Sequence, residues 1–265
     1  MLKKLLLSTS VLLFLSGCVQ VVNHTPTVLE PTQTKKIGYL INVRPNPTHT
    51  HIGTTALTNF TKNYPFNWQI PMYIKSRLEL ELGSHHNVQL INLAQHQIKP
   101  SSVNGLLKQI NTQWVVAKGK ENTYQNLTKA LGLSTIIIIN ESPKQAINDC
   151  NILGCKEFSA KGYGLFTRSF INRNTFISAT ALYVHIYQLN PVRSLDPKVA
   201  EINHSKKMTT VAVSKGSKVE SNKIGFIYPK NFNNWTEQEF KPFRLPLIKY
   251  IDGLARKVAN VVKTN

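Results

Sequence analysis

The sequence predicts an α/β domain with a mixed sheet, in two or three layers, carrying a long β-hairpin and a C-terminal amphipathic helix. Strand-like and helix-like segments alternate from Lys36 to Ile139, the pattern of a partly parallel sheet with helices on its faces. Two extended runs, Tyr163 to Ile171 and Thr175 to Leu189, flank the turn-rich tripeptide Asn172-Arg173-Asn174. The segment from Leu245 to Val262 places Leu247, Ile248, Ile251, Leu254, Ala255, Val258, Val261 and Val262 on one arc, with Lys249, Arg256 and Lys263 opposite.

Taken in order, Lys36 to Val43 reads as a first strand stopped by Arg44-Pro45-Asn46-Pro47, and a second extended stretch is expected from Ile52 to Phe60. Asn67 is placed to cap a helix through Leu82, with Ile70, Ile74, Leu78 and Leu82 on one face and Gly83 closing it. Asn87 to Leu93 reads as a strand. Ser101 or Ser102 can cap a short helix to Ile110, and Glu121 to Leu131 can form another. Thr135 to Ile139 is so short and apolar that only a strand covered on both faces suits it. In the second arm of the hairpin, Leu182, Val184 and Ile186 point to one side and Tyr183, His185 and Tyr187 to the other. A further strand is expected near Lys207 to Val213, and Val213 to Asn234 reads as mostly loop around an apolar knot at Ile224 to Tyr228.

Catalytic motifs are sparse. There is no Gly-x-Ser-x-Gly elbow and no phosphate-binding Walker loop, and Gly162-Tyr163-Gly164 lacks the third glycine of a dinucleotide fingerprint. The close carboxylate pairs Glu79/Glu81 and Glu237/Glu239 are two residues apart and diverge on a helix. His49 and His51 share a face if their segment is a strand, which permits metal ligation, but no carboxylate or cysteine nearby completes a set. They read, with His85-His86, as surface or loop histidines; no metal and no cofactor is expected. Cys150 and Cys155 have four residues between them. A local disulfide closing that loop is the simplest reading, with unpaired thiols or a redox or metal pair as alternatives. Phe166, Arg168 and Phe170 on the first hairpin arm, Arg173 at the tip, and Tyr183, His185 and Tyr187 on the second arm interleave aromatic and basic groups. That constellation is the candidate contact for a partner or an anion, against the plainer reading of a half-buried sheet face.

Thirty-two Lys and Arg against thirteen Asp and Glu give a formal net charge of +19, a field that attracts polyanions and anionic head groups. The lysines are scattered, with only the pairs Lys35-Lys36 and Lys206-Lys207 adjacent in the body, so simple solubility is the competing explanation.

The N-terminus carries Lys3-Lys4, an apolar run from Leu5 to Leu15, and Leu15-Ser16-Gly17-Cys18. The run is too short to span a bilayer as a finished helix. This box resembles the lipobox of bacterial lipoproteins. The resemblance implies a signal peptide at residues 1–17, cleavage before Cys18, diacylation of its thiol and acylation of the new amine. Val19 and Gln20 follow, with no aspartate, which in such lipoproteins implies an outer-membrane anchor facing the periplasm. Residues 18–36, rich in Thr, Val and Pro without a period, read as a tether, and residues 37–265 as the periplasmic domain. The order of elements over residues 37–262 is similar to small α/β domains of envelope lipoproteins: the curli-secretion lipoprotein, the lipoprotein activators of peptidoglycan synthases, and the N-terminal domain of the Tol translocation protein. That resemblance implies a non-catalytic protein that binds envelope partners or assembles into homo-oligomers. A binder of lipopolysaccharide or DNA is the alternative, to be distinguished by a contiguous basic face; an envelope hydrolase would need distant carboxylates or histidines to converge.

Overall fold

The computed structural model describes residues 34–83, 87–151, 154–203, 208–216, 218–221 and 225–264. The proposed signal peptide, Cys18 and most of the tether lie outside these residues, as do His85, His86, Lys206 and Lys207.

Three parallel strands form one half of a ten-stranded mixed sheet: β1 (Lys35–Asn42), β4 (Val88–Asn92) and β7 (Thr135–Glu141), in the order β4-β1-β7. The other half, antiparallel except for the parallel pair β2–β10, contains β2 (Thr48–Ile52), β3 (Phe60–Asn63), β10 (Gly162–Phe170), β13 (Thr209–Lys215) and β14 (Lys218–Ser221). The seventeen-residue β11 (Arg173–Leu189) joins the halves: residues 173–181 pair with β10 and residues 182–188 with β7. A short β12 (Val192–Ser194) returns along its end. Two small ribbons lie off this sheet, β5 (Leu107–Ile110) with β6 (Gln113–Val116), and β8 (Lys144–Asn151) with β9 (Gly154–Ala160).

Alternation within strands builds two layers of core on the parallel half. Ile37, Tyr39, Ile137, Ile139, Leu182, Val184 and Ile186 face α1 (Ile70–Gly83) and α6 (Arg244–Lys263). Helix α1 buries Ile70, Ile74, Leu78 and Leu82 at the predicted spacing. Leu40, Ile136 and Ile138 face the other side, where Leu93, Val103, Leu106 and Leu127 cover them. Gly38 stands where a side chain would meet Leu93 and Leu133 within 3 Å, so its bareness lets that cover sit close. The central strand β7 is thus enclosed on both faces, as its unbroken apolar run predicts.

Several boundaries differ from expectation. Residues 52–60 are not one strand: β2 ends at Ile52 and β3 starts at Phe60, and a loop with a short 3₁₀ turn lies between them. The helix expected to reach Ile110 stops after one turn, α2 (Pro100–Val103), because Gly105 takes φ +64 and turns the chain into β5. Glu121 to Ala130 is helical as read, divided into α3 (Glu121–Gln125) and a π turn. The long hairpin turns at Ile171-Asn172, with φ of 27° and 57°, so Arg173 belongs to β11 and not to the turn. Helix α4 (Asp196–Asn203), the one-turn α5 (Glu237–Phe240) and the β8–β9 ribbon were not anticipated. In α5, Thr236 and Glu239 form a capping box, which shows why Glu239 is buried: it is a structural cap that also accepts from the Lys230 amide.

Candidate functional site

Open α/β sheets bind ligands outside the carboxyl ends of their parallel strands, where successive crossovers leave in opposite directions. Here that point lies between β1 and β7, and the chain fills it itself. The Arg44 Nε–Glu141 Oε2 pair closes at 2.7 Å, the Arg44 amide donates to Glu141 Oε1 at 2.8 Å, and Arg44 Nη1 donates to Asn63 at 3.0 Å. Asn42 donates to Asn140 at 3.1 Å, and Asn140 to Asn104 at 3.0 Å.

The histidine pair is buried instead of lying in a surface loop. His49 and His51, on β2, are within an aromatic enclosure that includes Phe60 and Phe232. His49 Nε2 and His51 Nδ1 each lie 2.7 Å from Thr167 Oγ1. A hydroxyl has one proton and two lone pairs, so at most one ring accepts from Thr167 and at least one donates to it. His49 Nδ1 is buried without a partner, which favours its bare form there, with Nε2–H donating to Thr167 and Thr167 donating to His51. Burial, reinforced by the neighbouring His51, lowers the pKa of His49 to about 3; burial and the Arg168 charge lower that of His51 to about 4. Both rings are neutral at pH 7. Among the described residues no group of three His, Cys, Asp or Glu side chains is placed to hold a metal.

The basic–aromatic constellation of the hairpin divides in two. Tyr183, His185 and Tyr187 lie on the half of β11 that pairs with β7. Their rings follow one another at 4.8 Å and 6.0 Å, and His185 Nδ1 is 2.7 Å from Asp196 Oδ2. Asp196 Oδ1 also accepts the Ile186 amide, so this carboxylate fixes the start of α4 against the strand. Tyr187 is buried; loss of hydration, with Asp196 nearby, raises its pKa to about 12. Phe166 is not on the candidate contact surface: it is fully buried against Ile177, Ala179 and the β8–β9 ribbon, and a core side chain has no surface with which to meet a partner.

Arg168, Phe170 and Arg173 come together at the other end of β10 and β11. Lys161 and Gly162 reverse the chain so that the β8–β9 ribbon lies back across the face of β10 and β11. At its base the ribbon packs through Ala146, Ala160 and Phe158. Toward its tip, where Cys150 and Cys155 are joined with their sulfurs 2.06 Å apart, it stands away from the sheet and leaves a cavity of about 580 Å³. Asp149, Lys156, Phe158, Arg168, Phe170 and Arg173 are among its walls. A second hollow of about 360 Å³ shares Ile147, Asn148 and Thr175 with the first and continues toward Met208 and Thr210. The two make one groove beneath the ribbon.

Arg168 fixes the groove floor. Its Nε donates to Asp149 Oδ2 at 2.6 Å and its Nη1 to the carbonyls of Gly53 and Ser169 at 2.6 and 2.5 Å. Its guanidinium carbon lies 4.9 Å from the Phe158 ring centre and 5.3 Å from that of Phe170. Arg168 is therefore a tie between ribbon and sheet. At the rim, Phe170 is 51 % exposed and the adjoining turn residue Ile171 is 70 % exposed, so two large apolar side chains stand together in solvent at the hairpin end. The ribbon is not legible in the sequence because its arms are polar and their alternation is faint; the cue it offers is the Cys-to-Cys loop, with Gly154 at the start of β9.

No family model matches the chain, and no curated protein matches it. Among solved structures, the chain is similar to the hypothetical protein CT253 from Chlamydia trachomatis, at 10 % identity and a TM-score of 0.29, over 87 % of this chain and 99 % of that one.

Proposed function

We propose that this chain is a lipid-anchored envelope protein, fixed to the outer membrane through Cys18 and facing the periplasm, whose α/β domain binds a protein partner without catalysis. The observation that carries the reading is the free end of the β10–β11 hairpin: exposed Phe170 and Ile171 beside an open groove, held rigid by Arg168. Rigid apolar anchors flanked by a preformed hollow are what a partner site requires, since little conformational freedom is lost on binding. The lipobox supplies the address. Several acyl chains at about 0.8 kcal/mol per buried methylene hold such a body to a membrane stably, whereas one chain binds reversibly. No helix of the described residues is long and apolar enough to cross a membrane.

In-cell crosslinking of an affinity-tagged chain, followed by mass spectrometry and compared with a Cys18→Ala variant, tests this. The reading expects the wild-type chain in the membrane fraction with a discrete set of envelope proteins, and the variant released from membranes with that set lost. Equal membrane association of the two would remove the anchor, and absence of any discrete protein product would remove the partner.

A further inference from the structure

Cations line up across three strands beside the groove. Arg173 on β11 is directly opposite Lys215 on β13, and Lys215 is directly opposite Lys218 on β14. Residues in register share a face of a sheet, so this row projects to the side on which Arg173 and Thr175 line the groove. Like charges placed opposite one another destabilise a sheet, and no ion pair relieves Arg173, Lys215 or Lys218 among the described residues. Lys156 adds a fourth cation on the ribbon side, near the Phe158 ring. Of the carboxylates close by, Asp149 is taken by Arg168; Glu157 borders the inner hollow, and Glu220 is opposite Val213, one row further in. A locally contiguous basic rim therefore exists within a charge distribution that the sequence shows only as scattered.

The groove behind that rim is elongated, with Ile147, Ile177 and Met208 along its inner part and Asn148 and Thr175 between. The ribbon beside it is two-stranded, and among the described residues neither β8 nor β9 pairs with any other strand, so the ribbon's outer edges offer backbone groups to an added strand.

We infer that the groove takes an acidic, extended peptide segment of a partner protein, its apolar side chains on the groove floor and its carboxylates at Arg173, Lys215, Lys218 and Lys156. An extended chain presents alternate residues to opposite sides, which matches an apolar floor beside a basic rim. A phosphorylated saccharide would use the rim and leave the apolar floor empty, and a phosphorylated lipid would leave the backbone groups of the ribbon edge unpaired. The inference rests on the reading of this surface as the partner site.

The test uses the full-length lipidated chain in detergent micelles and a fluorescein-labelled decapeptide of alternating Glu and Val, read by anisotropy. Saturable binding is expected, weakened about tenfold or more when Gln replaces Glu and again in an Arg173→Glu/Lys215→Glu chain. A Lys249→Glu/Lys263→Glu chain, with equal charge change on α6, should bind as wild type. Circular dichroism confirms that each variant is folded. Equal affinity for the Gln peptide, equal loss in both double variants, or no saturation overturns the inference. So does inorganic polyphosphate competing while the Glu–Val peptide does not bind. If the peptide fails but crosslinking through Phe170 still captures an envelope protein, the surface stands and only its acidic specificity falls.

Discussion

Arg168 shows how one side chain sets the site. It is nearly buried, and its guanidinium joins Asp149 of the ribbon to the carbonyls of Gly53 and Ser169. Arg168→Met keeps much of the apolar stem but strands a half-buried carboxylate and two carbonyls, so denaturant unfolding should show a loss of about 2–4 kcal/mol. Arg168→Lys should recover only part of it, because an ammonium cannot copy the planar fork. The buried histidines make a separate prediction. Their folded pKa values, about 3 and about 4, lie below the ordinary 6.5, so the unfolded chain binds protons first as pH falls. Stability is complete above about pH 6.5 and declines from there toward the folded values. At pH 5, His49 alone accounts for a loss of about 2 kcal/mol, with a smaller share from His51. A His49→Gln/His51→Gln chain, less stable at neutral pH, should show a flatter profile between pH 7 and 5. An equal slope in both proteins would show that other groups set the acid limit. This enclosure was invisible in the sequence because its strand was placed too late: β2 begins at Thr48, directly after the Pro45–Pro47 turn, and pairs with β10, more than a hundred residues distant. His49 and His51 do share a face, as the spacing indicates; what lies across that face is a tertiary fact.

Among the elements, helix α1, strand β7 and helix α6 follow from local pattern, since each repeats its apolar residues at its own period. The β8–β9 ribbon does not, because it meets the core at its base and the residues of its two strands are mostly polar. Its disulfide closes a separation of five residues, so the Cys150→Ser/Cys155→Ser pair should cost about 2 kcal/mol by loop closure. Hydrogen exchange should place faster opening in β8 and β9 while β7 stays protected. Uniformly faster exchange would mean the ribbon unfolds only with the whole domain. Gly164 fixes the other side of the site. Its φ is +129°, and an added Cβ would stand 2.5 Å from the Thr48 carbonyl oxygen, so β2 can lie beside β10 only because the side chain is absent. Gly164→Ala should cost about 3 kcal/mol and lower Tm by about 6–12 °C.

For the molecule as a whole, the mixed α/β architecture was legible because layers of alternating apolar residues are a sequence property. The junction of its two halves was not, because a single strand, β11, changes partners at Ala181–Leu182 without any break in its pattern. That switch separates Tyr183, His185 and Tyr187 from Arg168, Phe170 and Arg173, which the sequence joins in one hairpin. Net charge behaves similarly: +19 is plain in composition, while the row Arg173–Lys215–Lys218 exists only once three strands are set in register. The account's central claim is that the hairpin end is where a partner binds. Site-specific photo-crosslinking in cells tests it most directly, with a photoreactive residue placed at Phe170 or Ile171 and, as controls, at Leu57 or Leu80, which are exposed elsewhere. The account predicts a discrete envelope-protein adduct from positions 170 and 171 and none from 57 or 80. Adducts of equal yield at all four positions, or at the control positions alone, would contradict it.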